Sequence, residues 1–309
     1  MLPLFDEAPS FDRARLGARL RELTHDNIWI GTSSWKYEGW LGQIYSRDRY
    51  TTRGRFSKKR FEAECLAEYA ETFPIVCGDF SFYQFPTPEF WTKLFSTAPT
   101  ALKFALKAPE EVTVEVFPRH ARYGQRAGMQ NEAFLNADAL DALFLDPLRA
   151  YQARLAPIVF EFGARSTSPR EFVQQLGGFL EKLPRDMQFG VEVRNREFLR
   201  PEYFDTLRQF GVAHVLNAWT KMPALSEQIS LPQTAPFTIV RALLRQGRPY
   251  EEAVQKFQPY DRVQDENPEA REALRSLLKR MKEERKSAYV FVNNRLEGNA
   301  PSTIESIAF

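Results

Sequence analysis

The chain has 309 residues, of which 43% are hydrophobic and 14% aromatic, and this composition excludes a disordered chain. The formal net charge is only +2, so electrostatic recognition must depend on where the charges lie along the chain. The two cysteines, Cys65 and Cys77, exclude a disulfide framework and favour a reducing compartment.

Targeting and membrane segments are also excluded. The first residues lack the basic region and apolar run of a signal peptide, and nowhere do roughly 18 apolar residues follow one another. We therefore expect a cytoplasmic protein that is neither secreted nor inserted in a membrane.

In chain order, an N-terminal extension over residues 1–26 comes first, and its residues 13–23 place three leucines on one helical stripe. Eight apolar runs of strand length follow in a single domain, residues 27–309. We predict strands over residues 28–32, 75–81, 102–107, 157–162, 189–194, 213–217, 237–241 and 289–293.

Helical patterns fill the intervals between these strands. Several begin with proline, which suits the first turn of a helix because its missing N–H would be unpaired there anyway. The longest irregular stretch, residues 110–132, indicates a functional loop. We predict helices over residues 58–73, 88–96, 133–155 with a break near Pro147, 169–183, 201–210 and 268–284.

The alternation of strands and helices predicts the fold. Such strands pair in parallel through right-handed crossovers, and eight units favour a closed barrel. We therefore predict an α/β protein with a single (β/α)8 TIM-type barrel and an extra N-terminal helix. A doubly wound open sheet is the alternative, but its G-x-G-x-x-G turn after the first strand is missing from Gly31-Thr32-Ser33-Ser34-Trp35.

Polar residues share one face of most predicted strands near their carboxyl ends. Side chains alternate along a strand, and the opposite positions, such as Val191 and Val193, are apolar and suit contact with helices. The polar positions are therefore predicted to point into the barrel, at the end where TIM barrels carry their active sites. These positions hold the acids Asp79, Glu161 and Glu192, the bases Lys107, Arg194 and Arg241, and the amides Asn217 and Asn293.

Two interpretations account for this set of residues. The acids and bases can form a compensated ion-pair network, because buried charges must be paired. They can also form a ligand site, which we favour because Val, Ile or Leu would serve stability better. In such a site, Arg194, Arg241 and Lys107 would hold an anion, and Glu192 or Glu161 would act as acid or base.

Arg241 distinguishes these interpretations, because it ends the inward face of the seventh strand. If it holds a ligand, its truncation should cost on the order of 1.5–3 kcal/mol of binding and affect folding less. If it forms a buried pair with Glu192 or Glu161, truncation should cost roughly 3–5 kcal/mol of stability. We expect the first result.

The loops after the strands are rich in basic and aromatic residues. Residues 36–60 carry eight basic residues against two acids, and residues 119–126 and 241–248 carry basic residues without acids. Such a face favours an anionic ligand. The aromatic rings can stack on nucleic-acid bases or can form the packed floor of a long loop. They are Trp35, Tyr37, Trp40, Tyr45, Tyr50, Phe82 and Tyr83, of which Trp35 and Tyr83 are candidate substrate-binding residues.

Missing motifs exclude several chemistries. The three histidines, His25, His120 and His214, are scattered, so we expect no histidine-ligated metal centre. The chain lacks G-x-S-x-G, Walker A and H-E-x-x-H sequences, and it indicates no cofactor. Carboxylates can still act as acids, bases or hard-metal ligands, and a lysine as a base or Schiff-base amine. The candidate catalytic residues are Asp79, Lys107, Glu161 and Glu192.

Several short motifs resemble those of the YecE-like family, a domain of unknown function with a TIM-barrel fold. The resemblance runs from about Ile28 to the C-terminus and implies the barrel and a site, but no established reaction. The motifs are Ile30-Gly31-Thr32-Ser33-Ser34-Trp35 with Tyr37, Trp40 and Tyr45, then Phe82-Tyr83-Gln84-Phe85-Pro86, Val191-Glu192-Val193-Arg194, Phe291-Val292-Asn293-Asn294 and Gly298-Asn299-Ala300.

The chain departs from the family pattern at three places. Val76-Cys77-Gly78-Asp79 stands where the family commonly shows Val-Glu-x-Asn, and Glu161-Phe162-Gly163 stands where it often shows a glutamine before a proline. The usual Arg-x-His-Gly after the seventh strand appears as Arg241-Ala242-Leu243-Leu244, without the histidine.

Three functions remain open from the sequence. The leading hypothesis is an enzyme that acts on a phosphorylated or otherwise anionic substrate at the C-terminal face of the barrel. The second is a nucleic-acid-binding or processing protein, and the third is a non-catalytic binding module. Steep salt dependence of binding would indicate a nucleic acid, because many phosphates are neutralised, whereas a small substrate predicts a flatter response.

Overall fold

The computed structural model describes residues 11–163 and 168–309, and its centre is a closed barrel of parallel strands. Each strand pairs with the next one in sequence, and the last pairs with the first. This confirms the predicted (β/α)8 TIM-type barrel. The strands are β1 Ile28–Thr32, β2 Ile75–Gly78, β3 Lys103–Lys107, β4 Leu155–Phe162, β5 Phe189–Val193, β6 Ala213–Ala218, β7 Phe237–Ala242 and β8 Ser287–Val292.

All eight predicted strands are present, and β2 differs most from its predicted bounds. It ends at Gly78, so that Asp79 and Ser81 lie in the following loop rather than in the strand. The Ser81 hydroxyl donates a hydrogen bond of 2.7 Å to the carbonyl oxygen of Lys107, which ties this loop to the end of β3.

Within residues 11–163 and 168–309, eight longer helices surround the barrel or precede it. Side-chain oxygens of Ser57, Thr87, Ser168, Asn267 and Asn299 accept hydrogen bonds from N–H groups in the first turns of five of them. The helices are α1 Arg13–His25, α2 Lys58–Thr72, α3 Pro88–Thr97, α4 Pro169–Glu181, α5 Pro201–Phe210, α6 Tyr250–Phe257, α7 Pro268–Glu283 and α8 Ala300–Ala308.

The helix predicted over residues 133–155 is divided into short pieces around Pro147, where a break was predicted. The α-helical turn Ala137–Leu140 continues into a π-helical segment, Asp141–Leu145, then Asp146–Leu148 and a 3-10 segment, Arg149–Arg154. Other short elements are the helices Glu110–Thr113 and Leu225–Gln228, the 3-10 turns Glu38–Trp40, Arg47–Tyr50, Ala121–Arg126 and Arg196–Phe198, and a hairpin of Thr51–Thr52 with Arg55–Phe56.

The N-terminal helix α1 packs outside the barrel. Its buried leucines, Leu16, Leu20 and Leu23, belong to the core between the strands and the helices. Arg19 and Arg21 donate hydrogen bonds to the last carbonyl groups of α8 and α2. Of the predicted extension, residues 1–10 lie outside the described residues. Across the described ranges, no helix is long and apolar enough to cross a membrane.

Candidate functional site

The interior of the barrel changes character along its axis. Below the strand ends it is apolar, with Val159, Val215, Ile239 and Phe291 in one buried cluster. One inward position further along β4 and β7, glutamate and arginine replace these side chains, because inward positions recur every second residue. The sequence had placed its polar candidates at this end.

The predicted face assignment of β5 is confirmed. Val191 and Val193 belong to the outer core against the helices, whereas Glu192 and Arg194 contact Arg241 and Glu161 across the barrel interior. Gly190, on the same face as Glu192, lies against Ile239 and Val215 of the inner cluster.

Two glutamates and three basic side chains form one ion-pair network at the strand ends. Oε2 of Glu161 lies 3.2 Å from Nζ of Lys107, 3.1 Å from Nη2 of Arg194 and 2.5 Å from Nη1 of Arg241. Glu192 accepts a short hydrogen bond from Nη1 of Arg241. Its Oε1 lies 2.7 Å from Nη2 of Arg194, although that contact lacks hydrogen-bond alignment.

The charges of the network shift the pKa values of Glu161 and Arg241. Burial alone would raise the pKa of Glu161, but the positive charges of Lys107, Arg194 and Arg241 outweigh burial and hold this pKa well below its usual range. Burial would lower the pKa of Arg241, and the charges of Glu192 and Glu161 instead raise it well above its ordinary value. Glu161 is therefore an ionised carboxylate, which makes it a poor proton donor.

Arg241 forms the pairs of the first sequence interpretation, the compensated ion-pair network. Its side chain is 5% exposed and pairs with both glutamates, of which Glu192 is fully buried. The sequence offered this pairing as an alternative but could not decide for it, because parity shows which side chains point inward but not which of them meet.

Some polar atoms of the network have no hydrogen-bond partner among the described residues. They are buried, and include Nη1 of Arg194, Nε of Arg241 and Oδ1 of Asn217. The Asn217 amide instead donates to the carbonyl oxygens of Val193 and Val215. Buried polar atoms of this kind are frequent at functional sites, where a ligand or water satisfies them.

A cavity of about 330 Å³ opens above the network. Lys107, Glu161, Arg194 and Arg241 form its charged base, and residues from the following loops form its walls. The wall residues are Ser33, Ser34, Tyr37, Asp79, Phe82, Tyr83, Trp219, Leu243, Tyr250, Asn293 and Arg295.

Two charged residues of the walls have no ion pair within the described parts of the chain. Asp79 is exposed at the mouth, and Arg295 is partly buried there. Both affect Tyr37, whose pKa is raised by burial, lowered by Arg295 and the hydrogen bond with Ser34, and raised by Asp79. Asp79 and Arg295 are therefore a free acid and a free cation close to the same phenol.

Aromatic rings of the walls lie against the cations. Nζ of Lys107 is 3.5 Å from the ring centroid of Phe82, and Cζ of Arg194 is 3.8 Å from that of Trp219. At the rim, Cζ of Arg295 is 4.6 Å from the Tyr250 centroid. Each pair joins neighbouring βα units, because the ring lies in the loop or at the helix start after one strand and the cation follows or ends the adjacent strand.

The structure brings together most of the predicted site residues. Asp79, Tyr83 and Asn293 line the cavity with the charged base, and Asn293 donates a hydrogen bond of 2.6 Å to the Ser33 hydroxyl. Asn217 lies beneath the cavity and is fully buried. Trp35 is not among the residues that line the cavity; it packs against Phe80 with ring centroids 6.0 Å apart.

Sequence reasoning missed Trp219, Tyr250 and Arg295. Trp219 and Arg295 lie in the loops after β6 and β8, and Tyr250 is the first residue of α6, a helix that was not predicted. Arg295 could have been found as a basic residue two positions beyond the predicted end of the last strand at Asn293.

The aromatic residues of the long loop after β1 form its packed floor. Trp40, Tyr45 and Tyr50 are 1% exposed or less and pack on one another and on Phe61. Tyr83 is the only exposed ring of the seven aromatic residues singled out from the sequence. The second sequence interpretation, a packed floor, therefore describes this loop.

Many basic residues of the loops already have acidic partners. Arg49 pairs with Glu71, and Arg122 with Glu110. Asp265 accepts hydrogen bonds from Lys256 and Arg248 and pairs with Arg245, and these contacts lower its pKa to about 2. The basic face is thus less available to a ligand than the sequence count indicated.

The remaining titratable candidates lie apart from the cavity. His214 points away from the barrel interior and contacts the Tyr203 hydroxyl at 3.0 Å, and burial lowers its pKa to about 3. Burial raises the pKa of the Cys77 thiol to about 11, and raises that of Cys65 to about 12. In the described ranges, no group of three or more His, Cys, Asp or Glu residues has the arrangement of a metal site.

The parallel barrel and the cation-rich cavity at the carboxyl ends of its strands define a TIM-barrel protein with a candidate site in the position usual for that architecture. The chain belongs to the DUF72 family, because the sequence model described as "Protein of unknown function DUF72" matches residues 29–308.

The curated relatives agree with the predicted YecE-like resemblance. The chain is 25% identical over 171 residues to the UPF0759 protein YecE of Escherichia coli K12, and equally to that of Escherichia coli O157:H7. The match covers 55% of this chain and 50% of the relative. The chain therefore spans about half the length of the curated relatives it matches.

Solved structures of the family share the fold. A DUF72 family protein from Thermotoga maritima MSB8 is 22% identical, with a TM-score of 0.63 over 91% of this chain and 97% of that chain. A DUF72 family protein from Enterococcus faecalis V583 is 17% identical, with a TM-score of 0.62 over 91% and 94%. At these identities the likeness concerns the fold alone.

The three departures from the family pattern all lie at or beside the cavity. Asp79 and Glu161 line it, and so does Leu243, which stands where the family pattern has histidine. Leu243 is 5% exposed and joins Phe257 and Tyr260 in an apolar cluster. In this chain, the family's histidine position therefore contributes an apolar wall.

Proposed function

We propose that this chain is an enzyme that acts on a small phosphorylated or otherwise anionic molecule bound in the cavity at the barrel mouth. The charge balance of the cavity carries the proposal. Lys107, Arg194, Arg241 and Arg295 line it, against the carboxylates of Asp79 and Glu161. Even with buried Glu192 included, the cations exceed the carboxylates by one.

The anion would contact Lys107 and Arg295 first. Arg241 and Arg194 are held by the two glutamates, so they contribute positive potential from below. Arg295 has no carboxylate partner within the described residues, and Lys107 shares only Glu161 with the two arginines. A hydrogen bond between a charged donor and an oxyanion contributes about 1.5–3 kcal/mol, so two such contacts are sufficient for a specific site.

Asp79 is the best-placed acid or base in this proposal. Glu161 is held ionised by three cations, and Glu192 is buried beneath the cavity. Asp79 is exposed to the cavity and has no ion pair in the described ranges, so it can exchange protons with a bound molecule.

The first experiment measures binding of inorganic phosphate and of acetate by calorimetry. We expect phosphate to bind, and Arg295→Gln to weaken its binding by about 10- to 150-fold, the equivalent of the lost charged hydrogen bond. Arg208→Gln removes the same charge from the exposed surface of α5 and should leave binding unchanged. An equal loss of phosphate affinity in both variants would show that only the net charge of the protein matters, and would contradict the proposed site.

The second experiment tests catalysis. A panel of phosphate esters and sugar phosphates is screened for turnover, and Asp79→Asn is compared with the wild type on any ester that reacts. Loss of a general acid or base should lower turnover by about 10²- to 10⁴-fold while phosphate binding persists. Phosphate binding without turnover of any ester would favour the non-catalytic binding module instead.

Filter binding of single-stranded RNA and DNA separates the nucleic-acid alternative. A nucleic-acid protein should lose affinity steeply with salt, with a log-log slope of roughly −0.7 for each neutralised phosphate. The burial of Trp40, Tyr45 and Tyr50 makes three of the seven aromatic residues on which that alternative depended unavailable for stacking. Submicromolar RNA or DNA binding with a steep slope would overturn the small-molecule proposal.

A further inference from the structure

We infer that Trp219 and Tyr250 are positioning residues of the anion site, which hold Arg194 and Arg295 by the faces of their rings and leave their charges available to an oxyanion. This inference rests on the proposed function, because it concerns the same cavity. It adds one residue from the loop after β6 and the first residue of α6.

The argument begins with the rim cation, Arg295. A long cationic side chain in a loop can be held in place by a carboxylate or by an aromatic ring. Within the described residues Arg295 has no carboxylate partner, and its guanidinium lies 4.6 Å from the ring centroid of Tyr250. A ring attracts the cation through its quadrupole and carries no net charge, so it orients Arg295 without cancelling the positive charge.

At the base of the cavity, a ring contacts a cation that the glutamates also hold. Two carboxylates are shared among three cations, so the carboxylates cannot neutralise all of them. Arg194 is 6% exposed, and its guanidinium lies 3.8 Å from the Trp219 ring centroid. This contact is shorter and less solvated than that of Arg295, so it should contribute more.

The chain also offers a comparison pair away from the cavity. The guanidinium of Arg15 lies 4.2 Å from the ring centroid of Phe309, between α1 and the C-terminus. If a ring contact mattered only for stability, this pair and the Arg295–Tyr250 pair would behave alike. A positioning role predicts that only the rings of the cavity affect anion binding.

The experiment measures inorganic phosphate affinity and melting temperature of the full chain for ring variants. Tyr250→Leu should weaken phosphate binding by about 2- to 5-fold and Trp219→Leu by about 10- to 30-fold, the range of exposed and desolvated cation–π contacts. Tyr250→Phe and Trp219→Phe keep a ring and should bind within about twofold of the wild type. Phe309→Leu should leave phosphate affinity unchanged.

One further variant separates positioning from neutralisation. Tyr250→Glu gives Arg295 a partner that holds the guanidinium as well as the ring does but cancels its charge, so phosphate should bind more weakly than to Tyr250→Leu. Tyr250 is 42% exposed, so these variants should keep the fold. Phosphate affinity in Tyr250→Leu and Trp219→Leu equal to that of the wild type would overturn the inference alone. A wild-type chain that binds neither phosphate nor acetate would overturn the proposed function, and this inference with it.

Discussion

Two layers of the barrel interior, separated by two residues along the same strands, have opposite chemistry. The lower layer is apolar and includes Val159, Val215 and Ile239. The upper layer holds Glu161, Asn217 and Arg241 at the next inward positions of the same three strands. The strand geometry is the same in both layers, so the fold does not require the charges.

Under the proposed function, the upper layer serves recognition at a cost in stability. Burying five charged side chains requires desolvation, and a buried ion-pair network is often no more stabilising than apolar side chains of similar volume. The lower layer closes the barrel by packing alone. Substitutions in the two layers should therefore differ in their effects on stability, on its pH dependence and on phosphate affinity. Each of the following predictions tests one of these differences.

The largest effect is expected for Arg241→Ala, in the upper layer. The variant leaves Glu192 fully buried without its hydrogen-bonded partner, so the free energy of unfolding should fall by about 3–5 kcal/mol. Urea melts measure it. The double variant Arg241→Ala with Glu192→Gln removes the uncompensated charge and should recover part of the loss. If Arg241→Ala is as stable as the wild type, Arg241 does not pair with the glutamates in solution.

The next effect is the acid sensitivity that Glu161 confers. Its pKa in the folded chain is depressed, so its stabilising contribution is present above the unfolded value of about 4.3 and is lost as the pH falls through the folded pKa. Glu161→Gln should therefore lose less stability than the wild type below about pH 4.3. Urea melts across pH 2–7 provide the comparison. Parallel stability curves for the two proteins would contradict the depressed pKa.

The lower layer should respond through packing. A Cβ at Gly190 would lie 2.5 Å from Cδ1 of Ile239 and 2.9 Å from Cγ2 of Val215. Gly190→Ala should thus cost about 1–3 kcal/mol by overpacking. Gly178→Ala, in α4 with open space around the new Cβ, is the matched control and should be neutral or stabilising. Phosphate affinity should change in neither variant. A loss of phosphate affinity with Gly190→Ala would show that packing in the lower layer affects binding at the upper layer.

The sequence predicted the barrel and the inward residues because both follow from period-two alternation. Glu192 and Arg194 were assigned to the interior by the valines on either side, and the structure agrees. The pairing inside the barrel could not be predicted in this way, since it depends on which side chains meet across the axis. Arg295 was missed because loop residues carry no periodicity, and Tyr250 was missed because it begins α6, a helix that was not predicted.

The smallest effect is expected for Trp35→Phe, a variant of a residue that the sequence indicated as substrate-binding. Trp35 packs against Phe80 and does not line the cavity, and phenylalanine can occupy most of the same space. Stability should fall by no more than about 1.5 kcal/mol, as for other conservative apolar exchanges. Phosphate affinity should stay within about twofold of the wild type, because a hydrogen bond from the Trp35 indole to the anion would contribute at least about 0.5 kcal/mol. The cavity wall begins at Ser33 and Ser34, directly before Trp35, so the measurement defines the boundary of the site along the loop after β1. A tenfold or greater loss of phosphate affinity at unchanged melting temperature would place Trp35 within the site and extend the upper layer beyond the residues that line the cavity.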